Sequence, residues 1–331
     1  MRPTFLGFPL SPRHRSWFRF AMQMRGSVLP YVFPRALLCG LFGEVIALLY
    51  SQGINVSIPA LSGLIPNIVL GLLLVFRTNT AYERFWEGRK LWGTLTNVTR
   101  NLARQIWVNV SEKNSQDRTQ KAIILHLLVA FAVSTKLHLR KQSFEDPGLL
   151  TLLPKDCYFK LQDMNTPPLE IAFWVSDYLQ KQRRRNRLTA YQLDTMQKMI
   201  STMVDVLGGC ERILRTPIPL AYVIHLKQLL LIYCLTLPFQ LVADVQWATG
   251  PIVALITFTL LGIEEIGVEI ENPFGTDAND LPLDAMCQNM LRDVEDLIGL
   301  GAAWTPISTL ASEAPPPPEK PEEGWLSQQQ P

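Results

Sequence analysis

Two long stretches of this sequence contain no lysine or arginine: Ala36 to Phe76, where Glu44 is the one formal charge, and Gln228 to Met290. A bilayer span needs about 20 apolar residues, so the first stretch has room for two. The polar break "SQGINVSIP" at 51–59 divides it into a span over about 31–50 and another over about 58–76. The second charge-poor region, begun a little earlier at Leu220, gives spans over about 219–245 and 249–270, joined at "DVQWATG". Pro238 lies inside the third span, where neighbouring helices must cover the carbonyl it leaves free. Arg13, Arg15, Arg19, Arg25 and Arg35 precede the first span, and Arg77, Arg84, Arg89, Lys90, Arg100 and Arg104 follow the second, whereas the two turns carry no basic residue. The positive-inside rule therefore puts both termini and the middle of the chain in the cytoplasm, as in a multi-pass protein of the cell (inner) membrane.

Charged residues make up only 18% of the 331, against roughly 25% in soluble domains, and hydrophobic residues 48%. That balance describes a chain partly in lipid and partly in water. A net charge of +2 offers no global basic excess for nucleic acid. Cys39, Cys157, Cys210, Cys234 and Cys287 are odd in number and show no CxxC spacing, which reads as isolated packing thiols. His14, His126, His138 and His225 are scattered, and no HExxH, GxGxxG or GxxxxGK[ST] occurs. The sequence therefore predicts a protein that is not an enzyme.

The middle of the chain, about 77–215, is helical by pattern. Leu91, Leu95, Val98, Leu102 and Ile106 form an amphipathic stripe. A helix over about 117–139 has an apolar run too short to span a bilayer and reads as buried core. Two further helices are predicted over about 168–182 and 188–207, the latter ending at Gly208–Gly209 as a C-cap. "KQRRRNR" at 181–187 reads as a solvated face, with lipid-headgroup contact as the alternative. A further cytosolic helix is expected over about 280–300. The segment "SPRHRSWFRFAMQMRGSVLP" at 11–30 reads as an amphipathic helix on the membrane surface, with an organelle transit peptide as the alternative. The Pro- and Glu-rich tail over 301–331 is expected to be disordered. The fold class is thus all-α: four membrane-spanning helices and a large cytosolic helical region, forming one domain over 1–300.

Glu264, Glu265, Glu269 and Glu271 close the fourth span and lead into "NPFGTDANDLPLD". Carboxylates at a membrane end need water, a partner or a metal; helix termination explains them equally well. Here the chain becomes recognisable. "RTNTAYERFWEGRKLWG" (77–93), "TPIPLAYVIHLKQ" (216–228) and "IENPFGTDANDLPLD" (270–284) together resemble the bestrophin family, in its prokaryotic branch. The resemblance implies a homopentameric, mostly helical ion channel whose second membrane helix lines a hydrophobic neck. Carried onto this sequence, the neck rings are Ile68, Leu72 and Phe76, flanked by Gly71 and Val75. Their spacing of four places all three on one helix face. Leu70 and Leu73 are then the lipid-facing contrast.

The same resemblance brings a calcium clasp of eukaryotic members onto Asn272, Asp277 and Asp280, although Ala278 and Asn279 replace acids there and no cofactor is required. It also implies a second, cytosolic constriction on the helix before Gly208–Gly209. Arg77 opens two alternatives: a ring of positive charge at the exit of the neck, or a side chain turned inward onto a carboxylate. The expected function is a pentameric ion channel passing anions, chloride first. Its alternatives are a cation-selective channel of the same family and a non-conducting membrane-anchored scaffold. Expected partners are further copies of the chain, the bilayer and small inorganic ions.

Overall fold

The structure is a computed structural model that describes residues 23–24, 26–59 and 63–303. Most of the expected surface helix at 11–30, and the tail beyond Ala303, lie outside those residues. All regular structure among the described residues is helical, as the sequence predicted. In chain order the helices are α1 (Leu29–Ser51), α2 (Leu64–Asn109), α3 (Ser115–Arg140), α4 (Pro147–Leu152), α5 (Lys155–Gln162), α6 (Pro167–Arg184), α7 (Ala190–Arg215), α8 (Leu220–Val245), α9 (Thr249–Glu271) and α10 (Leu283–Ala303). A 3-10 turn at Gln246–Ala248 links α8 to α9.

α1, α8, α9 and the first third of α2 form an apolar layer. α1 packs chiefly on α9. Its buried face, Ala36, Gly40, Gly43 and Ala47 with Val32 and Ile46, is mostly small. A Cβ on Gly40 would stand 2.8 Å from that of Ala254, and one on Gly43 3.2 Å from the Cα of Gly250. Such seams let two helix backbones approach closely where burial from water cannot drive association. On the other side of α1, Leu37, Leu41, Val45 and Leu48 are exposed and apolar.

The rest of the chain is a helical bundle with one continuous core running from Trp92 to Val294. α3 is its axis. By length and apolarity alone α3 could cross a bilayer, as could Leu29–Ser51 and Leu220–Glu271, but 78% of its most apolar window lies inside the fold. It is the buried core helix that the sequence predicted. Its start is fixed by a capping box between Asn114 and Asp117. Its buried cation Lys121 donates to the carbonyls of Trp107 and Val110 and to Glu112 at 2.7–2.9 Å.

Two boundaries differ from expectation. The second apolar segment enters its helix at Leu64, not near 58, because 54–58 is irregular. Beyond Phe76 it continues as a single helix of 46 residues, about 69 Å at 1.5 Å per residue. α7 runs through Gly208–Gly209 to Arg215. Gly209 is there for close approach rather than as a cap: a Cβ would stand 3.0 Å from both methyl carbons of Leu91 on α2. The short helices α4 and α5 were not foreseen. In the basic run, Lys181–Arg184 form the last turn of α6, and Arg187 pairs with Asp117.

Candidate pore helix

Two faces of α2 decide its role. Leu70, Leu74, Arg77 and Ala81 are buried at 5%, 2%, 1% and 0% exposure. Leu70 and Leu74 pack with Leu226 and Leu230 of α8. On the other side Ile68, Leu72 and Phe76 are 51%, 52% and 60% exposed, with Val75 beside them. A Cβ on Gly71 would touch nothing within 4 Å. The neck candidates therefore share one open apolar face that their own subunit does not cover. Leu70 does not face lipid, as the sequence reading had it, but fills the seam to α8. Leu73 is partly buried beside it, and its carbonyl accepts from the hydroxyl of Tyr222 at 2.7 Å.

Arg77 takes the inward alternative. Its guanidinium meets Glu271 at 2.7 Å, and its stem lies against Gly267, where a Cβ would sit 3.4 Å from Arg77 Cγ. It cannot ring the exit of the neck with charge, because it follows Leu70 and Leu74 on the buried face. The other oxygen of Glu271 accepts from the backbone N–H of Ile218 at 3.2 Å, and its carbonyl from Arg84 at 3.1 Å. Arg84 also donates to the carbonyls of Ile213 and Thr216. This clasp ties α2 to the end of α9 and to the turn before α8. A sequence signal for it existed, since residues 70, 74, 77 and 81 fall on one helical stripe.

Below Phe76 the open face becomes polar. Asn79, Glu83, Lys90, Thr94, Asn97 and Arg104 follow one another on exposed positions of α2. Charge along it therefore comes from Glu83, Lys90 and Arg104.

The calcium expectation fits this structure poorly. Asp280 Oδ2 accepts from the backbone N–H of Asp277 at 2.7 Å, and Asn272 Oδ1 from that of Phe274 at 3.4 Å. Asp277 itself is exposed, and no three His, Cys, Asp or Glu side chains among the described residues converge to hold a metal. Burial, reinforced by the neighbouring carboxylates of Asp277 and Glu269, pushes the Asp280 carboxyl above the ordinary range. Gly275 lets Asp280 pack closely here: a Cβ there would stand 2.4 Å from Asp280 Oδ2, so the carboxylate would have to shift. Asp280 thus closes the turn before α10.

Known proteins resemble this chain in sequence and in fold. A family model described as Bacterial/Fungal Bestrophin protein matches residues 10–296. A voltage-dependent anion channel-forming protein of Nostoc is 58% identical over 286 residues, covering 86% of this chain and 93% of the relative. Another so described, from Synechocystis, is 57% identical over 305 residues, covering 92% and 99%. Among solved structures, a bacterial bestrophin homologue from Klebsiella pneumoniae, in a form carrying one substitution, matches with a TM-score of 0.75 at 31% identity, covering 81% of this chain and 99% of that one.

Proposed function

Because the chain belongs to the family of bacterial and fungal bestrophins, we propose that it forms a homopentameric channel that passes anions, chloride first, through a neck made by α2. One observation carries this reading: α2 keeps an apolar face open at Ile68, Leu72 and Phe76 while its opposite face is buried in its own subunit. Five such faces around an axis make three stacked apolar rings. Rings of this kind gate by excluding water and by the cost of stripping an ion of its hydration. The names of the Nostoc and Synechocystis relatives support anions as the cargo. So does the face below the neck, where Lys90 and Arg104 outnumber Glu83, raising local anion concentration.

Membrane depth follows from charge. Arg35 of α1, Lys227 of α8, and Glu264 and Glu265 of α9 pair across the three helices, and they mark the cytosolic headgroup level. The apolar lengths beyond them, Ala36–Ser51, Gln228–Val245 and Thr249–Ile263, come to roughly 22–27 Å at 1.5 Å per residue, close to a hydrocarbon core of about 30 Å. With the start of α2 this gives four spans and cytoplasmic termini. At the far end of the pathway Tyr191, 89% exposed in the first turn of α7, lines a hollow with Arg104 and Asn109 of α2. It is our candidate for the second constriction.

The reading is tested by reversal potential in planar bilayers under a chloride gradient. A value near the chloride equilibrium potential is expected, and one near the cation value would install the second reading. That second reading, a cation channel, is favoured by a single observation: Glu83 is the first exposed charge below the neck. The Asp280 turn we read as a structural cap, so millimolar calcium is expected to leave the apparent Tm unchanged. A rise that Asp277→Asn removes would restore the metal.

A further inference from the structure

A cavity of about 450 Å³ opens between the cytosolic halves of α1, α8 and α9. Its volume lies within the roughly 300–1,000 Å³ that small-ligand sites occupy. Leu230, Leu231 and Leu261 give it an apolar wall, and Arg35, Lys227 and Glu264 a charged mouth. The three charges differ in their surroundings. Arg35 and Lys227 are about half exposed, at 55% and 54%, and Arg35 meets Glu265 at 3.1 Å. Glu264 is only 3% exposed, yet its Oε1 accepts no hydrogen bond, and the Lys227 ammonium stands 3.5 Å away. A carboxylate taken out of water normally collects donors to offset its lost hydration. Glu264 has a cavity beside it instead.

We propose that this cavity holds a phospholipid of the cytosolic leaflet whose headgroup ends in a primary ammonium, of the phosphatidylethanolamine class. The ammonium supplies the donors that Glu264 Oε1 lacks. The phosphate, two carbons away along the headgroup, sits between Arg35 and Lys227, each with more N–H donors than its one carboxylate contact uses. One acyl chain follows Leu230, Leu231 and Leu261 toward the bilayer centre. Charge selects this headgroup. The mouth carries two cations against the carboxylates of Glu264 and Glu265, so a purely anionic headgroup leaves Glu264 without a donor. A choline headgroup has no N–H to give. The inference rests on the membrane depth argued above, not on conduction.

The test uses the purified full chain, stripped of lipid in detergent. Cys39 lines the cavity and Cys157 lies in α5, outside it. Alkylation of Cys39 by N-ethylmaleimide, referred to that of Cys157 by peptide mass spectrometry, reports occupancy. Dioleoyl-phosphatidylethanolamine is expected to slow Cys39 alkylation about tenfold, and the choline and glycerol headgroups with the same chains less than twofold. Glu264→Gln should bring ethanolamine down to the choline level. Leu231→Trp, at an exposed position that does not threaten folding, should abolish protection. Equal protection by the three lipids, stronger protection by the glycerol headgroup, or protection that survives Leu231→Trp overturns the proposal. A chain that conducts no ions yet shows the expected pattern refutes the channel reading and leaves the lipid site standing.

Discussion

The membrane layer and the helical bundle are held together by different means. The bundle has one core running through α2 to α7 and α10, with Trp92, Phe131 and Phe274 at its centre. Among the described residues the membrane layer has two small buried clusters, around Leu74 and around Val242. Its cohesion comes from the glycine seam of α1 on α9 and from ion pairs that Arg35 and Lys227 make with Glu265 and Glu264. The difference follows from solvent. Burial from water stabilises the bundle by roughly 25 cal/mol per Å² of apolar area, whereas lipid is as apolar as leucine and gives helices in the bilayer no such gain. The membrane layer can therefore leave an apolar face on α2 open, and the function proposed here needs that face.

The largest effect expected from this contrast is on stability. Phe131→Ala removes a fully buried ring from α3 and should cost about 3–5 kcal/mol, read as a large fall in apparent Tm in detergent. Leu41→Ala, on the exposed side of α1, should stay within about 0.5 kcal/mol. Comparable falls for both would mean that the membrane layer has a conventional core. Next comes the seam. Gly250→Ala places a methyl 2.9 Å from the carbonyl of Gly40 and against Glu44, an overpacking that should cost about 1–3 kcal/mol. If the variant is as stable as the parent, α1 and α9 are not held by close approach.

The neck comes third. Shortening Ile68, Leu72 and Phe76 together to Ala should widen and wet the barrier, raising single-channel conductance about tenfold, equivalent to about 1.4 kcal/mol. Leu70→Ala, on the buried face, should lower stability and leave conductance within a factor of two. Equal conductance changes from both would assign the pore to another surface.

The same contrast explains what the sequence could show. Membrane spans are read from local composition, and three of the four expected ones have both ends within two residues of those of α1, α8 and α9. The second was begun too early because Ile58 and the apolar residues after it read as span, whereas 54–58 is irregular and the helix begins at Leu64. α3 was read as core from the shortness of its uninterrupted apolar run; by length and overall apolarity it could cross a bilayer, and its place in the core rests on the 78% of its most apolar window that the fold buries. Gly208–Gly209 misled because glycine inside a helix costs about 1 kcal/mol, so a helix end was the favoured reading; the contact with Leu91, far away in sequence, overrides it. α4 has 6 residues and α5 has 8, too few for periodicity to register. The stripe that buries Arg77 was present in the sequence, but its partner Glu271 lies 194 residues away, and no local pattern names it. The Ile68, Leu72 and Phe76 face was legible as a face, but nothing in the described part of this chain covers it.

The smallest effect separates two carboxylates at the junction of the layers, where pH should act with opposite signs. Asp280 is held above the ordinary carboxylate range, first by burial. Such a group contributes stability below its unfolded pKa, near 3.9, and loses that contribution as pH rises through its folded value. At pH 7.5 its charge therefore costs the fold. Asp280→Asn removes that cost while keeping an acceptor for the N–H of Asp277. Asp284 is the opposite case. Burial pushes it upward, but hydrogen bonds from Lys136 and Arg140, each at 2.8 Å, outweigh burial and hold it below the ordinary range. Its stability is present above the unfolded pKa and is lost as pH falls through the folded value. Asp284→Asn should lower the apparent Tm at pH 7.5, by under about 1 kcal/mol for a pair this exposed, and the deficit should close toward pH 3. Asp280→Asn should leave the Tm at or above the parent value at pH 7.5, with that gap also closing in acid. The two variants must therefore bracket the parent at neutral pH and converge on it at low pH. If both fall below it at pH 7.5, the Asp280 charge is stabilised by something its neighbours Asp277 and Glu269 do not supply, and a bound cation becomes the explanation to pursue.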